Sequence, residues 1–144
     1  MRRHPDRRIV RGRDRDQMTK DYETFLDEKT QLGGNHGFSP VWMPPFLFDF
    51  QASLVEWAVL KGRAAIFADC GLGKTPMQFV WAENVCRHTG GRVLIATALA
   101  VAIQMQREAE KFGIRVHLSR DGSIADGITI TNYEQLHLFN PSDF

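Results

Sequence analysis

Residues 64–75, which read AAIFADCGLGKT, constrain this chain more than any other stretch. The run at 64–68 is short, apolar and unalternating, as a strand buried on both faces should be. It feeds a turn holding Gly71 and Gly73, and Lys74-Thr75 then open a segment of helical character ending at Gly90-Gly91. Strand, glycine turn and helix in that order are the setting of a phosphate-binding loop. The pattern G-x-x-x-x-G-K-[ST] asks for glycine where this chain has Ala68. Ala68 stands at the strand's end, before the tight part of the loop. A methyl group is tolerable there if the backbone stays β-like, so the departure narrows the loop type and does not abolish it.

Each residue of the loop has an expected task. Backbone N–H groups from Cys70 to Thr75 surround phosphate oxygens, aided by the positive end of the following helix. Gly71 and Gly73 let the chain turn tightly and approach closely without a Cβ. Lys74 reaches the β- and γ-phosphates, and the Thr75 hydroxyl ligates Mg²⁺. Asp69, Cys70, Gly71, Leu72, Gly73, Lys74 and Thr75 are therefore the expected nucleotide contacts, with ATP and Mg²⁺ as the ligands. Pro76 falls in the first helical turn, where its missing N–H costs nothing.

The remaining segments alternate. A short charged helix is expected over 22–32, ending at Gly33-Gly34, followed by a loop and a proline-broken aromatic stretch over 41–51. Asp49 caps a helix over 50–61 whose apolar side includes Leu54, Trp57 and Ala58. After the loop helix, RVLIAT (92–97) reads as a buried strand. The next helix carries Ala102, Met105, Ala109 and Phe112 on one face, with Gly113 as its cap. IRVHL is a third strand, GITIT a fourth, and YEQLHLF a short helix. Strands alternating with helices imply an α/β fold with a parallel sheet and helices on both faces.

Charge excludes little. Residues 1–17 hold seven Arg against three Asp, and the rest of the chain holds 11 Lys/Arg against 14 Asp/Glu, so the +1 net charge conceals a basic leader and a slightly acidic body. The body offers no electrostatic argument for nucleic acid. The leader has almost no apolar content and reads as disordered, and Met18 stands where patterned sequence begins. Residues 1–37 are thus expected as leader and short helix, and 38–144 as the folded domain. No apolar run nears the roughly 18 residues that span a bilayer, so no membrane partner is expected. Cys70 and Cys86 lack metal-ligand spacing and read as reduced thiols of a cytoplasmic protein.

Ala68-Asp69-Cys70-Gly71-Leu72-Gly73-Lys74-Thr75 resembles the loop of superfamily-two helicases and DNA translocases of the DEAD/DEAH and Swi/Snf kind, in their first RecA-like lobe. The resemblance runs from about residue 46 to 144. It implies that Gln51, in FDFQASLVEW, reads the adenine edge, with Phe48 or Phe50 near the base, since one amide both donates and accepts. It also implies that Thr97 and Ala98, where the family usually has Ala-Pro, and Thr131 and Asn132, in ITITNYEQL, touch DNA phosphates.

The family hydrolyses ATP with an Asp-Glu pair on a later strand. The only Asp-Glu dipeptide in the sequence, Asp27-Glu28, precedes the loop in a helix-like context. The chain therefore reads as an incomplete RecA-like lobe, the N-terminal piece of an ATP-dependent DNA helicase or translocase, with a second RecA-like lobe as its expected partner. By itself it binds nucleotide with little turnover. The alternatives are a self-standing nucleotide-binding or interaction module, or another P-loop enzyme such as a nucleotide kinase. The kinase reading lacks a lid of arginines, because Arg115 and Arg120 are the only ones after Gly113.

Overall fold

The computed structural model describes residues 34–144. The basic leader and the helix expected over 22–32 lie outside them. Three helices and three strands carry the architecture. Helix α1 (Asp49–Lys61) leads into the glycine loop, and α2 (Lys74–Thr89) follows it. Strand β1 (Val93–Thr97), helix α3 (Leu99–Lys111), and strands β2 (Val116–Leu118) and β3 (Ile128–Asn132) complete the regular elements, before 3₁₀ turns at Tyr133–Leu138 and Pro141–Asp143.

The N-cap of α1 is Phe48, in extended conformation, and Asp49 sits inside the first turn. The expected Asp49 cap is therefore displaced by one residue. Phe48 has no oxygen with which to cap. Instead Gln51, at the third helical position, reaches back so that its Oε1 accepts the Phe48 N–H at 3.1 Å, which is half of a capping box. Asp49 still favours the helix by placing negative charge at the dipole's positive end. The buried stripe is Gln51, Val55, Ala58 and Val59. Trp57, expected on the apolar side, is exposed.

The other end of α1 is closed by the segment before it. His36, Gly37 and Phe38 donate their N–H groups to the carbonyls of Lys61, Leu60 and Val59. A helix leaves its last carbonyls without internal partners, and this strap supplies them. The strap then crosses α2, where Val41 and Trp42 are held by Asn84.

Helix α2 is the centre of the molecule because two of its faces are apolar. Met77 and Val80 pack with Leu47, Val55 and Val59 against α1 and the strap. Phe79 and Ala82 pack with the sheet and with Ala102, Met105 and Ala109 of α3. Gly90, in the left-handed conformation, ends α2 by donating to Cys86 O.

The sheet is parallel, in the order β1-β3-β2. Register places Val93 beside Ile128 and Ile95 beside Ile130, and β2 brings Val116 and Leu118 alongside the same two isoleucines. These alternate residues form one face, and α2 and α3 both cover it. The opposite face carries Leu94, Ala96, His117, Thr129 and Thr131. Among the described residues it meets loop and the 3₁₀ helix at Tyr133–Leu138: the Ala125 N–H donates to Thr129 Oγ1, and Thr131 Oγ1 lies within hydrogen-bond distance of Ser119 O and Gln135 Oε1. Among the described residues α-helices cover one face, and a 3₁₀ helix with loop meets the other, where threonines bond the backbone that crosses it.

The expected strand at 64–68 joins no ladder. It runs without regular structure, and Phe67 is 98% exposed. An apolar sequence becomes a strand only where a neighbouring edge pairs with it, and none of the three strands lies alongside. The YEQLHLF segment is a 3₁₀ helix, not an α-helix.

Gly37 is fixed by space: a Cβ there would lie 1.8 Å from Val59 O. Gly37→Ala should lower the urea midpoint with an unchanged slope, corresponding to a loss of about 1–3 kcal/mol for overpacking. An unchanged midpoint would show that the strap does not cap α1 in solution.

Candidate functional site

Residues 68–75 form a loop whose polar groups face one another. Lys74 Nζ donates to Ala68 O and to Asp69 O, each at 2.9 Å. The ammonium therefore bridges the start of the loop to the first turn of α2, and one of its three hydrogens remains. Ala68 has no positive φ, as no residue other than glycine does in the described chain. The position that the pattern gives to glycine takes a methyl here without strain.

The two loop glycines differ. Both adopt positive φ, +82° at Gly71 and +71° at Gly73. Gly71 has open space around it, whereas a Cβ on Gly73 would stand 2.3 Å from Gln51 Nε2. Gln51 is packed onto the loop. It is 5% exposed, and its Nε2 donates to Leu72 O at 3.0 Å. The amide spans the start of α1 and the loop, with one hydrogen and one lone pair left uncommitted.

Among the described residues, the N–H groups of Cys70, Gly71, Gly73, Lys74 and Thr75 donate to no carbonyl. They gather at the N-terminus of a 16-residue helix, where the dipole adds positive potential. The Thr75 hydroxyl bonds no described group. Unpaired N–H donors, a helix N-terminus and an ammonium together bind anionic oxygen. At the start of α1, the exposed rings of Phe48 and Phe50 lie nearly parallel, with centroids 6.3 Å apart. Behind the loop, a cavity of about 350 Å³ opens between Val55, Ala64, Ile66, Lys74, Met77 and Trp81.

Of the residues expected at nucleic acid, the structure brings three together. Thr97 pairs in register with Asn132, and Ala98 follows as the extended N-cap of α3. Ala98 O accepts from Val101 and Ala102, while its methyl caps nothing, so the first N–H groups of α3 lack a side-chain acceptor. Thr131 is separated from these. Alternation turns it to the other face, where it is fully buried and its hydroxyl donates to Ser119 O. Asn132 is also buried. It donates from Nδ2 to Glu134 Oε2, and that bond holds the Glu134 carboxyl below its ordinary range. The bond is at full strength above the ordinary glutamate pKa and is lost as pH falls through the lowered value.

Asn84 is a functional candidate that sequence reasoning passed over. Its signal was a lone amide on the apolar stripe of FVWAENVC, which a helix normally leaves to solvent. No group of three or more His, Cys, Asp or Glu side chains suited to a metal ion occurs among the described residues. No described helix is long and apolar enough to cross a membrane.

No protein-family model matches the chain, and no curated protein matches it at a significant level.

Two measurements check this geometry. Gly71→Ala and Gly73→Ala both carry left-handed strain of about 1–2 kcal/mol, but only the second also displaces Gln51, so Gly73→Ala should show the lower urea midpoint. Equal midpoints would remove Gln51 from the loop. Cys70 is exposed, and burial, with Glu83 nearby, raises the Cys86 thiol. A thiol reagent at pH 7 should therefore modify Cys70 first, as peptide mapping will show.

Proposed function

We propose that this chain binds Mg-ATP at residues 68–75 and serves as the nucleotide-binding part of a DNA-dependent ATPase of the superfamily-two helicase or translocase kind. The observation that carries the reading is Lys74 drawn back onto Ala68 O and Asp69 O, under a set of N–H groups with no other acceptor. A lysine so placed needs only to exchange two carbonyl oxygens for phosphate oxygens, which attract it more strongly because they are charged.

In this reading the N–H groups of Cys70, Gly71, Gly73, Lys74 and Thr75 hold the phosphates and Lys74 neutralises the β- and γ-groups. The Thr75 hydroxyl would help hold Mg²⁺, which would supply charge neutralisation to the phosphates. Phe48 and Phe50 offer the base an apolar face, and the free hydrogen and lone pair of Gln51 are what remain for its edge. Asp69, Cys70 and Leu72 contribute backbone, since Leu72 O is already committed to Gln51. DNA phosphates meet Thr97, Ala98 and the start of α3, with Asn132 behind them. A second RecA-like lobe would face the nucleotide.

Calorimetric titration of Mg-ATP into the chain, beside Lys74→Ala, tests the reading. Charge-assisted hydrogen bonds are each worth about 1.5–3 kcal/mol, so the variant should bind at least about tenfold more weakly while keeping its circular dichroism. Equal binding by both proteins would sink the loop reading. The DNA part is tested separately with a labelled oligonucleotide, whose affinity should fall steeply as salt rises. No salt-dependent binding would leave a nucleotide-binding module alone.

A further inference from the structure

Asn84 lies far from the phosphate loop yet is built into its support. It is fully buried in α2, ten positions beyond Lys74 and so about 15 Å along the helix axis. Its Oδ1 accepts from the N–H groups of Val41 at 2.8 Å and Trp42 at 2.9 Å, and its Nδ2 donates to Trp42 O at 2.8 Å and Val80 O at 2.7 Å. An amide offers two lone pairs and two hydrogens, so all four are used. Aspartate would lose both donors and leucine would lose everything.

What Asn84 fixes is the middle of the strap. Upstream, residues 36–38 close the C-terminal end of α1. Downstream, the strap passes Pro44-Pro45, turns where the Leu47 N–H meets Pro44 O, and buries Leu47 against Val55, Val59, Met77 and Val80. It then becomes the N-cap of α1. Helix α1 is therefore gripped at both ends by one segment pinned at Asn84. Three residues past that N-cap, Gln51 holds Leu72 O.

That last bond carries direction. In a planar trans peptide the carbonyl and the following N–H point opposite ways. Anchoring Leu72 O on Gln51 thus turns the Gly73 N–H away from α1, into the loop. We propose that Asn84 is a positioning residue for phosphate binding, which acts through the strap, α1 and Gln51 to aim the Gly73 N–H at the bound anion. The proposal rests on the nucleotide reading above and deepens it, by naming a residue that touches no ligand.

The test is a double-mutant cycle on Mg-ATP affinity with the full chain: wild type, Asn84→Ala, Gln51→Ala and the pair. If Asn84 acts through Gln51, each single variant raises Kd about tenfold and the pair raises it little further, since residues on one path do not add. A purely structural role moves urea midpoints and gives effects on Kd that multiply. Multiplying effects, or an unchanged Kd in folded Asn84→Ala, overturn the proposal. Should Asn84→Ala fail to fold, Pro45→Gly takes its place, because that residue is exposed and lies between the pin and α1. It should raise Kd in the same coupled way, and an unchanged Kd overturns the proposal equally. If wild type fails to bind Mg-ATP, the nucleotide reading falls alone. The relay is then read without ligand from the Gly73 amide resonance, which should move in the same direction in Asn84→Ala and Gln51→Ala. Movement in Gln51→Ala only would refute it.

Discussion

Three hydrogen bonds from one buried amide hold the strap on α2, while a fourth returns to Val80 O of α2 itself. Among the described residues, Asn84 is the group that joins α2 to the strap by side-chain hydrogen bonds, and it does so from full burial. Each such bond adds about 1 kcal/mol net, but removing the amide would orphan three backbone groups of Val41 and Trp42 at about 1–3 kcal/mol each. Packing reinforces the pin: Arg87 lies 4.3 Å over the Trp42 ring, and Phe46 stacks on Phe112. The position of α1, and hence of Gln51, follows from where the strap is held.

The loop at 68–75 shows how far a pattern can bend before its physics breaks. Ala68 replaces a glycine, yet its task is done by its carbonyl, which receives Lys74, and any residue with negative φ has that carbonyl. Gly73 cannot be replaced in the same way. It needs positive φ, and it needs the volume that Gln51 occupies. Within one short motif, then, one glycine position is conformationally free and the other is doubly constrained.

The sheet divides its two faces by side-chain chemistry. Valine and isoleucine alternate on the side covered by α2 and α3, while Thr129 and Thr131 bind loop backbone on the other. Burial of Thr131 follows from that division and separates it from Thr97 and Asn132, its neighbours at the strand ends. The outer edge of β1 carries no charged side chain in VLIAT, the composition of a strand that would ordinarily be paired.

Local chemistry determined much of this protein from sequence alone. The glycines at 62, 73, 90 and 113 bounded the helices because positive φ is cheap only without a Cβ. Period-3.6 patterning placed Ala102, Met105 and Ala109 inward, and the order of apolar runs specified a parallel α/β sheet. Tertiary structure decided the rest, because those choices depend on a distant partner. The apolar run at 64–68 is no strand, since pairing needs a second edge that composition cannot supply. Trp57 faces outward because the strap and α2, not the helix's own pattern, select which stripe of α1 is buried. Gln51 binds Leu72 O, and Asn84 binds a strap some forty residues away, because a side-chain amide bonds whatever backbone folding brings within 3 Å.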